Sequence, residues 1–185
     1  MSSRRSVLGA VALPAVLAAG VWTGLGLAGA SADRATTTGL TARLSGAQEA
    51  PRPTGTRAAA VGTFTAALVR SGAGGTLSWR LTFRDLTGKA TASHIHVGTR
   101  GKAGPVRVSL CGPCRSGAAG SARVDARTLK ALIGGGTYVN VHTARNPGGE
   151  IRGQITKSAK APVVAPPTTQ PGTTNTGTTE PYPEG

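Results

Sequence analysis

Between positions 40 and 156 apolar and polar residues mostly alternate, the period of two expected of β-strands with one buried face. Thr76 to Phe83 is the cleanest case. Leu77, Trp79, Leu81 and Phe83 lie on one face and Ser78, Arg80 and Thr82 on the other, so this strand is predicted to anchor the core. Similar alternation predicts strands at Leu40 to Leu44, at Val61 to Val69 with Phe64, Ala66 and Leu68 inward, and at Pro105 to Leu110 with Val106, Val108 and Leu110 inward. Ser45 to Thr56 holds Pro51 and Pro53, which lack backbone donors, and is predicted to be loop. One segment departs from the pattern: Asp125 to Ile133 spaces Leu129, Leu132 and Ile133 as a helical stripe, with Asp125 as cap and Gly134-Gly135-Gly136 as stop. The predicted fold class is all-β with one short helix.

Two more strands carry the chain's three histidines. In Ser93-His94-Ile95-His96-Val97 the two histidines share one face and Ile95 and Val97 the other. In Tyr138-Val139-Asn140-Val141-His142 the valines face inward, leaving Tyr138, Asn140 and His142 opposite. The last strand, Ile151 to Thr156, turns Ile151 and Ile155 inward and Glu150, Arg152 and Gln154 outward. Asn146-Pro147-Gly148-Gly149 predicts an antiparallel hairpin between these two runs, with a polar face of Tyr138, Asn140, His142, Arg152 and Gln154. If the two histidine strands are sheet neighbours, the three imidazoles converge, and their nitrogens suit copper or zinc. The alternative is a satisfied polar sheet face shared with Glu150 and Arg152.

Composition sharpens the core and marks off the ends. Aromatic residues are 3% of the chain and Gly is 28 of 185 residues, so the core must be built from Val, Leu, Ile and Ala between many turns. Residues 1–32 open with Ser3-Arg4-Arg5-Ser6-Val7-Leu8, continue as an Ala-, Leu- and Gly-rich run without an acidic residue, and end on Ala30-Ser31-Ala32. This predicts a cleaved signal peptide resembling the twin-arginine type, with Sec export as the alternative. Residues 33–38 read as a linker and 39–157 as the domain. Residues 158–185, rich in Pro, Thr and Gly, cannot bury enough surface to offset their ordering entropy and read as a disordered tail. No other stretch approaches the ~20 apolar residues of a membrane span. The mature protein is predicted to be secreted and monomeric.

The formal charge of +14, or +12 once Arg4 and Arg5 are removed, is dispersed along the chain. It predicts salt-sensitive attraction to cell-wall polymer or anionic polysaccharide, with an extracellular protein as the other kind of partner. Nucleic acid is disfavoured, because there is no recognisable motif and almost no aromatic side chain for base stacking.

Cys111-Gly112-Pro113-Cys114 has the letters of the thioredoxin-type redox motif. That chemistry draws on a helix N-terminus, however, and Arg115 to Gly120 is a poor helix start. A structural disulfide is expected in an exported protein, with thiol exchange and metal binding beside the histidines as alternatives. Outside Asp33 and the tail the carboxylates are Glu49, Asp85, Asp125 and Glu150, and nothing in the pattern positions a Glu49 and Glu150 pair for acid–base work. There is no nucleophile elbow and no phosphate-cradling loop. No enzymatic activity and no obligatory cofactor is predicted.

Several of these stretches, taken in order, resemble one family. They are Leu44-Ser45-Gly46-Ala47-Gln48-Glu49-Ala50-Pro51, Ala92-Ser93-His94-Ile95-His96-Val97-Gly98, Gly104-Pro105-Val106, Tyr138 to Thr143, and Asn146 to Ile155. Together they resemble the CHRD (chordin-type) domain from about Leu40 to Thr156. The resemblance implies an immunoglobulin-like antiparallel β-sandwich or barrel, found alone in secreted bacterial proteins and repeated in animal chordin, with no established biochemical activity. It also implies a distant similarity to copper-zinc superoxide dismutases. Those need four copper histidines and a zinc site, whereas this chain has three histidines in all, so dismutase activity is not expected. The expectation is a non-enzymatic binding module that uses a polar sheet face of Tyr138, Asn140, Glu150, Arg152 and Gln154 together with its basic surface, the alternative a copper- or zinc-binding protein using His94, His96 and His142.

Overall fold

A computed structural model describes residues 36–159. The predicted signal peptide, residues 33–35 of the predicted linker and residues 160–185 of the predicted tail lie outside the described residues. The strands are β1 Thr37–Ser45, β2 Val61–Ser71, β3 Gly74–Arg84, β4 Ala90–Val97, β5 Val106–Cys111, β6 Ala119–Val124, β7 Thr137–Thr143, β8 Ile151–Gln154 and β9 Thr156–Lys157, and the helix α1 is Ala126–Ile133. They form one antiparallel sheet in the order β5-β4-β7-β8-β1-β2-β3-β6, with β9 beside β1. The end strands β5 and β6 approach each other, so the sheet is a nearly closed barrel. The fold is all-β with one short helix.

The barrel interior follows the alternation. Phe64, Ala66 and Leu68 of β2 and Leu77, Trp79 and Leu81 of β3 are buried together with Ile95 of β4, Val139 and Val141 of β7, and Ile151. α1 packs against β3, burying Leu129 and Leu132, and its first turn is closed by Asp125 Oδ1 accepting the Thr128 N–H at 2.7 Å. At the β2–β3 turn Gly72 takes a φ of 56°, which a side chain would oppose.

Four features differ from the sequence pattern. β1 begins at Thr37, so two residues expected in the linker are strand. β6 has no counterpart in the alternation, because its inward residues are small. Gly120 and Ala122 sit opposite Trp79 and Leu77, and a side chain at Gly120 would collide with the Trp79 ring that fills the space. Val106 is exposed rather than inward: the β4–β5 register slips by one, pairing Val108 with Ile95 but Val106 with His96, and so turns Val106 to the opposite face. The last strand is divided at Ile155: its N–H still donates to Thr137 O of β7 at 2.9 Å, whereas Thr156 and Lys157 pair with β1.

Candidate functional site

β4 and β7 are adjacent and antiparallel, with Ala92 opposite His142, His94 opposite Asn140 and His96 opposite Tyr138. Paired residues share a face, so all three histidines stand together on the outer side of the barrel wall, backed by Ile95, Val139 and Val141. One ring nitrogen from each lies within 4.8 Å of the others. His94 Nδ1 is 3.1 Å from His142 Nε2, and the His94 and His142 ring centroids are 5.0 Å apart.

Backbone carbonyls orient two of the rings. His96 Nδ1 lies 2.8 Å from Gly104 O and His142 Nδ1 lies 2.7 Å from Pro147 O. A carbonyl only accepts, so each Nδ1 carries the proton and each Nε2 presents a lone pair to the shared space. This is how ligating histidines are aligned in metal sites. The rings are also held neutral. Burial pushes His94 down from 6.5 to about 4, helped by the nearby His142 and His96 rings. Burial likewise lowers His96 and His142, against the opposing pull of the Gly104 and Pro147 carbonyls. With His142 Nε2 as the acceptor, His94 Nδ1–H donates to it in the ion-free protein, and once that proton moves to the other His94 nitrogen three neutral imidazoles can hold a divalent transition-metal ion.

The residues expected to form an open binding face do not form one. Tyr138, Asn140, Glu150 and Arg152 are buried, with Arg152 at 1% and Glu150 at 0% exposure, because two connections cover the sheet. The 98–104 connection is tied down by Arg152 Nη2, which donates to Thr99 O at 2.8 Å and Lys102 O at 3.0 Å, and by Gln154 Nε2, which donates to Gly98 O at 2.9 Å. Arg152 Cζ sits 3.4 Å from the centre of the Tyr138 ring, and Tyr138 in turn stacks on His96 at 4.9 Å. The 46–49 segment packs on β8 and inserts Glu49, whose Oε1 accepts from Asn140 Nδ2 at 3.3 Å. Burial raises Glu49 from 4.5 to about 7, although the Asn140 bond and Arg152 oppose the shift.

Glu150 serves another purpose. Its Oε1 accepts from Thr87 N at 2.7 Å, and its Oε2 accepts from the Thr87 hydroxyl at 2.7 Å and the Thr143 hydroxyl at 2.6 Å. Burial pushes this carboxyl up, but the bonds from Thr143 and Thr87 outweigh it and hold it low. Glu49 and Glu150 thus have separate partners and do not form a pair. Cys111 and Cys114 are joined with Cα atoms 5.2 Å apart, at the end of β5 that pairs with Ser93. The groups the pattern did not identify are the two carbonyls and Glu49 as a neighbour of Asn140. A carbonyl carries no residue signature, although the glycine at 104 is a trace of one: a Cβ there would run into Val97 O.

A family model described as the CHRD domain matches residues 40–155. No curated protein and no solved structure matches the chain. Among the described residues no helix is long and apolar enough to cross a membrane.

Proposed function

Because the chain belongs to the CHRD domain family, we propose that it is a non-enzymatic binding domain working outside the cell, and that its best-supported ligand is one copper or zinc ion held by His94, His96 and His142. The signal-like residues 1–32 and the family support the location. What carries the metal reading is the pair of Nδ1 contacts to Gly104 O and Pro147 O, which leave His96 Nε2 and His142 Nε2 without protons where one nitrogen of each of the three rings lies within 4.8 Å of the others. Imidazole suits Cu(II) and Zn(II), and the chain's two cysteines are tied up with each other rather than with the histidines. Titrating the untagged domain with Cu(II) and with Zn(II) tests this. One equivalent bound in wild type, and none in His96→Ala or His142→Ala, is the expected result; equal weak binding in all three proteins overturns it.

A second reading has its own observation. A groove of about 560 Å3 between the β3–β4 and β5–β6 connections is lined by Phe83, Leu86 and Pro113 with Arg84, Lys89 and Arg115. Asp85 is its one acidic side chain and is paired with Arg84, so the groove is net positive. Thr87, in the β3–β4 connection, is anchored by the buried Glu150 carboxylate, so the groove is organised before any ligand arrives. Apolar walls and cations suit an acidic sugar of a wall polymer or polysaccharide. Binding of short polygalacturonate oligomers that falls with salt and with Arg115→Ser, but not with His96→Ala, supports this reading; indifference to Arg115→Ser sinks it.

A further inference from the structure

We infer that the ion has a fourth protein ligand, Asn140 Oδ1, and that Glu49 is the positioning residue that aims it. The inference rests on the three-histidine reading. Asn140 stands at the centre of the histidine face, directly opposite His94, two residues along β7 from His142, and diagonal to His96. It is 2% exposed. Nδ2 of its amide donates to Glu49 Oε1 at 3.3 Å, which turns Oδ1 the other way.

Oδ1 is buried and has no hydrogen-bond partner, and the same is true of His96 Nε2. The Asn140 side chain lies within interaction range of His96, whose own proton is committed to Gly104 O on the far side of the ring. A carbonyl lone pair and an imidazole lone pair are therefore both buried and unpaired on neighbouring side chains. Such an arrangement costs free energy unless something positive fills the gap. A metal ion satisfies both atoms at once and completes a set of three nitrogens and one oxygen, a four-coordinate set suited to Zn(II) or Cu(II). With no thiolate or thioether in the set, Cu(I) gains nothing comparable.

The test compares wild type with Asn140→Leu, Asn140→Asp and Glu49→Leu in chelator competition for Zn(II), with the Asn140 side-chain carbonyl followed by 13C NMR. Asn140→Leu keeps the volume and removes the oxygen, and should weaken binding at least tenfold. Asn140→Asp restores an oxygen and should bind at least as tightly as wild type. Glu49→Leu, which frees the amide to rotate, should fall between wild type and Asn140→Leu, while Glu49→Gln, which can still accept from Nδ2, should match wild type. The Asn140 carbonyl resonance should shift on adding one equivalent of Zn(II). Tight wild-type binding with an unmoved carbonyl resonance and an unaffected Asn140→Leu overturns the fourth ligand and leaves the three histidines standing, with water as the occupant of the gap. Failure of wild type itself to bind overturns the three-histidine reading on which this one rests. Should Asn140→Leu fold poorly, the carbonyl shift and Asn140→Asp decide the matter.

Discussion

Gly104 and His96 are joined at 2.8 Å through the glycine carbonyl, while the N–H of the same glycine donates to Tyr138 Oη at 3.2 Å, so one residue clamps both members of a stacked ring pair. A Cβ at position 104 would strike Val97 O, and the clamp therefore requires glycine. Gly104→Ala should cost roughly 3 kcal/mol of stability and loosen the His96 ring, read by urea denaturation and by loss of Zn(II) affinity. A variant as stable and as tight-binding as wild type would remove Gly104 from the site.

Glu49 gives the ion-free protein a slope of stability against pH. Its folded value of about 7 lies above the unfolded 4.5, so the unfolded chain releases the proton first as pH rises. The associated stability is full below about pH 4.5 and lost by about pH 7, amounting to at most about 3 kcal/mol. Glu49→Gln stays neutral and should therefore be more stable than wild type at pH 8 yet similar at pH 4.5. Urea midpoints at the two pH values measure this.

His94 works in the opposite direction. Its folded value near 4 lies below the unfolded 6.5, so protons bind the unfolded chain first and stability is lost as pH falls from 6.5 to 4. Over most of that interval Glu49 and His94 offset each other, while lowered His96 and His142 add to the acid-side loss. His94→Gln should flatten the acid limb of the stability profile, whereas Glu49→Gln should steepen it. The same low values mean that protons compete poorly for the rings, so half-release of bound Cu(II) should come below pH 6. Titration of the His94 ring near 6.5 in the ion-free protein, followed by NMR, would show that it titrates as a free imidazole does.

Arg152 is the keystone of the covering connection. Arg152→Met would leave Thr99 O and Lys102 O without their donor and remove the cation from the Tyr138 ring. A loss of about 3 kcal/mol is expected, with hydrogen exchange accelerating first in residues 99–104. Uniform acceleration over the whole barrel would argue against a local role.

The local pattern was enough for the strands that pair large apolar residues, for the cap at Asp125 and for the shared face of His94, His96 and His142. Each of these depends on neighbours in sequence or on the period of a strand. The pattern was silent where distant residues decide. β6 is small because Trp79 occupies its volume, and Val106 is turned by a bulge where β5 pairs with β4. Tyr138, Asn140 and Arg152 read as an open face, since nothing in an alternating strand announces that connections some 35 to 90 residues away will fold over it.

The order of the strands also dictates when the barrel can be finished. β1 lies between β2 and β8, with Ser45 opposite Arg152 and Leu40 opposite Lys157, and Ser158 N reaches Gly39 O at 2.8 Å. A chain emerging from the ribosome therefore holds β1 with one side unpaired until the final strands appear. Entry and exit of the domain end up side by side, so a repeat of it could be threaded between two flanking partners without moving them apart.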